Sequence, residues 1–268
     1  MDYDVIVGAG CSFMHGDAIE NEDGKFCGDK YTASKVLSDY YNCDVDVIAN
    51  SGYSNGRILR TIYEWVENNT RYKKPLFLIG TSGLARYPIY NEVTKKYWDV
   101  NPVAILREKD GGKGYLLRGS FIDKITSGVG TIDEIHQWVT FHMKYVYSDE
   151  LTRKTLQRNL TMLHYYLKGN NCDYYVLNSI EDGLTDEVKS KLNYVSFIDD
   201  EYDGINGDNW KGYLGWQTIA VDGDPKGGSV EFRSPKPPYG KRFCNGHPSP
   251  NANKELAERL IKIIESEK

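Results

Sequence analysis

The chain has 268 residues, with 33 Lys and Arg against 38 Asp and Glu, a formal charge of −5, and both signs mixed along its length. That length fits one large α/β domain or two small ones, and without a basic block neither a nucleic acid nor an anionic membrane is expected as a partner. Five widely spaced cysteines (Cys11, Cys27, Cys43, Cys172, Cys244) with no CxxC pair suggest neither a zinc knuckle nor a disulfide framework, and no leader-like or long apolar segment is seen, so a cytoplasmic location is expected.

In chain order, Val5 to Gly8 is a short continuous apolar run, the pattern of a strand covered on both faces. It enters a turn, Ala9-Gly10-Cys11-Ser12-Phe13-Met14-His15-Gly16, that is rich in glycine and carries one serine. Residues 17–29 read as a loop, and Ala33, Val36, Leu37 and Tyr40 then share one helical face. Asp46 to Ala49 reads as a second strand, ending in Asn50-Ser51-Gly52-Tyr53-Ser54-Asn55-Gly56. Ile58, Ile62, Trp65 and Val66 mark the next helix, and Leu76 to Ile79 a third strand that ends in Gly80-Thr81-Ser82-Gly83.

Residues 84–130, with Pro88, Pro102 and Gly111-Gly112, read as an irregular insertion. Two helical patterns follow, one through Ile132, Ile135, Val139 and His142, the other through Leu156, Leu160, Leu163 and Leu167. Tyr174 to Asn178 and Val195 to Ile198 are the fourth and fifth strands. Residues 199–246 form a second insertion, too long for a plain connection. Its Trp210, Tyr213 and Trp216 either stack on sugar rings or pack the loop onto the domain. A helix over Ser249–Lys268, with Leu256, Leu260 and Ile264 inward, closes the chain. Strands alternating with helices predict an α/β fold, a parallel sheet with helices on both faces, in a single domain over 1–268. Ligands of such sheets sit beyond the carboxyl ends of the strands, where three Gly/Ser-rich turns fall here.

The first turn has two readings. As a dinucleotide fingerprint it requires a third glycine, yet counting GxGxxG from Gly8 lands on Phe13, and strand 2 ends Ile48-Ala49-Asn50 without the carboxylate that would hold a ribose. As a nucleophile turn it presents Ser12. Gly10-Cys11-Ser12-Phe13-Met14-His15-Gly16 resembles the first block of the SGNH (GDSL-like) hydrolases, in the form common among phage-encoded members. Asn50-Ser51-Gly52-Tyr53-Ser54-Asn55 is similar to the second block, with Gly52 as its glycine. Gly80-Thr81-Ser82 stands where the third block belongs, with Ser82 in place of the usual asparagine and Arg86 at the position of an arginine in phage-type relatives. Gly246-His247-Pro248, just before the last helix, matches the fourth.

The resemblance covers the chain from end to end. It implies a three-layer, flavodoxin-like doubly wound sheet of about five strands, no cofactor or metal, and a serine esterase acting on a carboxylic ester, such as an O-acyl group on a glycan. A serine hydroxyl needs an adjacent base, which would be His247, and the oxyanion needs aimed donors. The backbone N–H groups of Ser12 and Gly52 and the Ser82 hydroxyl are the candidates. The family's acid, an aspartate two or three residues before the histidine, is replaced by Cys244 and Asn245. Four alternatives stay open: Asn245 orients His247 through its side-chain carbonyl, a backbone carbonyl does so, a distant carboxylate such as Asp222 or Asp224 does so, or the site is inactive. The last would make the chain a non-catalytic structural or virion protein, with virion or homo-oligomer association. His15 reads as a pocket-edge or solvated loop residue, His136, His142 and His164 as core-edge or surface residues, and Cys11 as a small buried one.

Overall fold

A computed structural model describes residues 3–16, 28–92, 95–102, 105, 132–177, 183–195 and 250–267. The sheet is built from β1 (Val5–Ala9), β2 (Asp44–Val47), β3 (Pro75–Gly80), β6 (Asp173–Leu177) and β7 (Tyr194–Val195), all parallel, in the order β2-β1-β3-β6-β7. This is the flavodoxin-like order, and its topological switch point lies between β1 and β3.

The period-2 alternation of the strands divides the core between two faces. Ile6, Leu76, Leu78, Tyr175 and Leu177 point to one side. There they meet α2 (Ala33–Tyr41), through Ala33 and Leu37, and α7 (Pro250–Ser266), through Leu256, Ala257, Leu260 and Ile264. Val5, Val7, Phe77, Ile79, Tyr174 and Val176 point to the other. They meet Ile58, Ile62 and Trp65 of α3 (Asn55–Asn68) and Leu156, Leu160, Leu163 and Leu167 of α5 (Asp149–Gly169). Each fully buried leucine contributes about 1.5–3 kcal/mol of apolar burial. Helix starts are capped as their residues dictate: the Thr32, Ser54 and Ser148 hydroxyls accept from the N–H of Lys35, Arg57 and Leu151. Asn42 ends α2 in the left-handed region, at φ 50°.

Two expectations are corrected. The second strand runs over Asp44–Val47, two residues earlier than the apolar reading over 46–49. It is an edge strand with an exposed outer half, so Asp44 and Asp46 are tolerated within it; Asp46 accepts from Trp65 Nε1 at 2.7 Å. The stretch after Ser82 is not wholly irregular. It holds an antiparallel hairpin of β4 (Tyr87–Asn91) and β5 (Lys96–Val100). Its inner face (Tyr87, Ile89, Trp98, Val100) packs with Ile135, Val139 and Met143 of α4 (Ile132–Tyr145). In a two-stranded ribbon Pro88 can sit where no ladder N–H is needed. His142 lies on the packed face of α4, stacked on Tyr87 with ring centroids 4.1 Å apart, and burial pushes its pKa down. A short α6 (Asp186–Lys189) precedes β7. The expected strand over 195–198 is described only as far as Val195, and residues 199–246 lie outside the described residues.

The last helix is fixed at both ends. Asn253 in its first turns is buried, and its Oδ1 accepts from the Ala33 N–H at the start of α2, 3.2 Å away. At the other end the hydroxyls of Tyr175 and Tyr41 donate to Glu267 and Glu265, at 2.8 and 3.1 Å. Burial first, then the Glu267 carboxylate, pushes the Tyr175 pKa up.

Candidate active site

Three loops meet at the carboxyl rim of β1, β2 and β3. The first is the turn after β1. A Cβ on Gly10 would stand 2.4 Å from Met14 Cγ, 2.8 Å from Met14 Cβ and 3.1 Å from the Gly80 carbonyl oxygen. Glycine is therefore what lets this turn lie against the end of β3. Cys11, fully buried, caps the one-turn helix α1 (Ser12–His15), and its carbonyl accepts from Met14 and His15 at 3.0 and 3.1 Å. Ser12 opens that helix and is 6% exposed. Neither its hydroxyl nor its N–H has a hydrogen-bond partner among the described residues. An unpaired N–H is normal for the first residue of a helix, and it leaves a donor for an incoming oxygen. Phe13, where a dinucleotide fingerprint would place glycine, is buried in the core instead.

The second loop follows β2. The Asn50 N–H donates to the Gly10 carbonyl at 3.2 Å, which ties this loop to the Ser12 turn. Asn50 Oδ1 accepts from the Ser51 N–H at 2.8 Å and shapes the bend. Gly52 then takes φ 78°, with no heavy atom within 4 Å of an added Cβ, and its N–H also has no acceptor among the described residues. Gly52→Ala is expected to cost about 1–2 kcal/mol of stability, from left-handed backbone strain alone. Thermal denaturation checks this; a loss well beyond that range would mean that the site is more crowded than the geometry says.

The third loop follows β3. Thr81 anchors it to the Leu177 carbonyl, through its N–H at 2.9 Å and its hydroxyl at 3.2 Å. Ser82 is fully buried. Asn55, the first residue of α3, clasps its backbone: Asn55 Oδ1 accepts from the Ser82 N–H at 2.7 Å, and Nδ2 donates to the Ser82 carbonyl at 2.9 Å. The Ser82 hydroxyl accepts from Arg86 Nη1 at 2.9 Å. Beside the clasp, Asp99 of β5 accepts from the Ser54 N–H and hydroxyl at 3.1 and 2.5 Å, which docks the hairpin on the start of α3. Sequence reasoning singled out neither Asn55 nor Asp99. The one available signal for Asn55 was its place three residues after Gly52.

The structure thus brings the segments of Ser12, Gly52, Ser82 and Arg86 to one rim. His247 and Asn245, like Asp222 and Asp224, lie outside the described residues. The helix after His247 begins at Pro250, a residue suited to a first helical position. The other histidines have their own surroundings: His164 Nδ1 is 2.6 Å from the Tyr174 hydroxyl, and His136 lies beside Thr140. Among the described residues no group of three or more His, Cys, Asp or Glu is placed to hold a metal ion. Among them, too, no helix is long and apolar enough to cross a membrane.

No family model matches the sequence, and no curated protein matches it. Among solved structures the chain is similar to a lipolytic protein of the G-D-S-L family from Desulfitobacterium hafniense DCB-2, at 11% identity and a TM-score of 0.40, over 97% of this chain and 99% of that one. It is similar to a carbohydrate esterase at 14% identity and a TM-score of 0.44, over 97% and 68% of the two chains. The psychrotrophic esterase EstA from Pseudoalteromonas sp. gives 12% identity and a TM-score of 0.38, over 98% and 97%. Identities of at most 14% and TM-scores of at most 0.44 assign neither a family nor an activity to this chain.

Proposed function

We propose that the chain is a serine ester hydrolase of the SGNH (GDSL-like) type, with Ser12 as nucleophile and His247 as general base. One observation carries the reading. The N–H groups of Ser12 and Gly52, the two backbone donors expected to hold an oxyanion, both lack an acceptor among the described residues, on loops joined by the Asn50-to-Gly10 hydrogen bond. A pair of unpaired N–H groups beside an unbonded serine hydroxyl suits acyl transfer, in which negative charge develops on a carbonyl oxygen. The sheet order supports it, because β1 and β3 flank the switch point.

In this mechanism His247 takes the Ser12 proton as Oγ attacks the ester carbonyl carbon. The carbonyl electron pair moves to oxygen and is held by the two N–H groups. Collapse expels the alcohol, which takes its proton from His247 and leaves an acyl-serine. Water, losing a proton to His247, attacks that ester, and Ser12 leaves with the proton as the acid is released. Asn245 is the candidate orienter of the imidazole, through its side-chain carbonyl. Ser82 is buried and its hydroxyl accepts from Arg86, which leaves its own O–H as the third candidate donor to the oxyanion. O-acylated glycans are the proposed substrate class.

The test is a fluorophosphonate probe alongside p-nitrophenyl acetate. One phosphonyl group per chain is expected on the peptide that contains Ser12, with loss of turnover in proportion. A protein that hydrolyses the ester no faster than buffer and takes up no phosphonyl group would refute the reading. The outcome would then favour a non-catalytic SGNH-fold structural protein, a reading that Ser82 in place of asparagine and the lack of a carboxylate at 244 or 245 also favour.

A further inference from the structure

Two arginines stand next to this site, Arg86 on the loop after β3 and Arg57 in the first turn of α3, and neither has a carboxylate partner among the described residues. Arg86 uses one N–H on the Ser82 hydroxyl and makes no ion pair there. Arg57 makes no side-chain hydrogen bond or ion pair, and its Nε is buried without an acceptor. Its guanidinium carbon lies 5.2 Å from the centroid of the Tyr53 ring, the residue after Gly52. The chain segments that carry the two arginines are in contact. Asn55, two residues before Arg57, clasps the Ser82 backbone that Arg86 serves, and a Cβ on Gly56 would be 3.3 Å from Pro88 Cγ. Asp99, the carboxylate of the same loop cluster, is taken up by Ser54 and pairs with neither guanidinium. Arg60, one turn further along α3, also has a buried guanidinium nitrogen, Nη2, without an acceptor, but its charge is engaged: it lies over the Tyr97 ring and 3.6 Å from Glu64.

A buried guanidinium N–H without an acceptor is costly, and a planar fork of such donors matches a carboxylate in two-point fashion. We infer that Arg57 and Arg86 form a carboxylate-binding subsite beside the Ser12 crevice, so that the preferred substrates are anionic esters carrying a carboxylate. The inference rests on the esterase reading for the identity of the bond cleaved, but not for the binding of the anion. The two arginines recognise the substrate's charge; Ser12 and the two backbone N–H groups act on its ester.

The experiment compares 4-acetoxybenzoate with its methyl ester, each kcat/KM divided by the hydroxide-catalysed rate of the same compound. The wild-type protein is expected to prefer the carboxylate by about tenfold or more, the factor that one charge-assisted hydrogen bond can supply. Arg57→Gln and Arg86→Gln are each expected to bring the ratio toward one, and added salt to weaken the wild-type preference. Should Arg86→Gln fail to fold because the Ser82 loop is lost, Arg57→Gln decides alone. Calorimetric titration of the wild-type protein and of Arg57→Gln with benzoate reads the subsite without turnover. Benzoate binding lost in the variant, with neither ester hydrolysed, supports the subsite and refutes the esterase reading. Turnover of both esters at equal corrected rates, with no benzoate binding, overturns the inference and leaves the esterase reading intact.

Discussion

Ser12→Ala is expected to lower p-nitrophenyl acetate turnover on the order of 10⁴–10⁶-fold while leaving the melting temperature almost unchanged. The rate loss follows from the proposed covalent route. Without Oγ there is no acyl-serine, and the two N–H groups are left to assist a water that nothing else activates. The stability result follows from geometry. The Ser12 hydroxyl makes no hydrogen bond with any described residue, so removing it strands no partner, and alanine suits the first turn of a helix. A large loss of rate with no loss of stability is the signature of a residue kept for chemistry. A variant that retained the wild-type rate would remove Ser12 from the mechanism, whatever the rest of the site does.

Asn55→Ala is expected to give the opposite profile, a loss of about 2–4 kcal/mol of stability, readable as a lower urea midpoint at unchanged slope. Two backbone groups of a fully buried residue lose their partners together, the Ser82 N–H and the Ser82 carbonyl, and each unsatisfied group costs about 1–3 kcal/mol. Asn55→Asp separates the two bonds. A carboxylate still accepts from the Ser82 N–H but faces the Ser82 carbonyl with no donor, so it should fall near or below the alanine variant despite its similar size. An alanine variant as stable as wild type would mean that water replaces the carboxamide, and that the clasp is not what holds the β3 loop.

The contrast shows which parts of this molecule could be read from its sequence. The leucines at 156, 160, 163 and 167 recur at helical spacing and are all buried, because a long helix on a sheet has little choice about its inner face. Strands β1, β3 and β6 were legible for a related reason: buried on both faces, they read as apolar runs whatever their neighbours do. Strand β2 was legible only by its later, more apolar half, since an edge strand admits Asp44 and Asp46. The hairpin of β4 and β5 was hidden by Pro88, although Tyr87 and Ile89 alternate on one side and Trp98 and Val100 answer them from the other. In the site, the glycines showed themselves through their spacing. The Asn55 clasp, 27 residues away from its target, and the Asp99 contact, 45 residues away, did not. A carboxamide that bonds to backbone leaves no mark on the residue type it contacts.

The placement of α7 also has a consequence in time. Its Leu256, Ala257, Leu260 and Ile264 cover the same face of the sheet as Ile6, Leu76, Leu78 and Leu177. The five described sheet strands precede it in the chain, so a nascent chain can assemble the sheet while, among the described residues, that face is covered by α2 and by Phe13 and Met14. Until α7 leaves the ribosome, at roughly 5–20 residues per second, the half-clothed sheet is an exposed apolar plate of the kind that aggregates or is held by chaperones. In the proposed mechanism the general base and the last wall of the core would then leave the ribosome together, because His247 emerges just ahead of this helix.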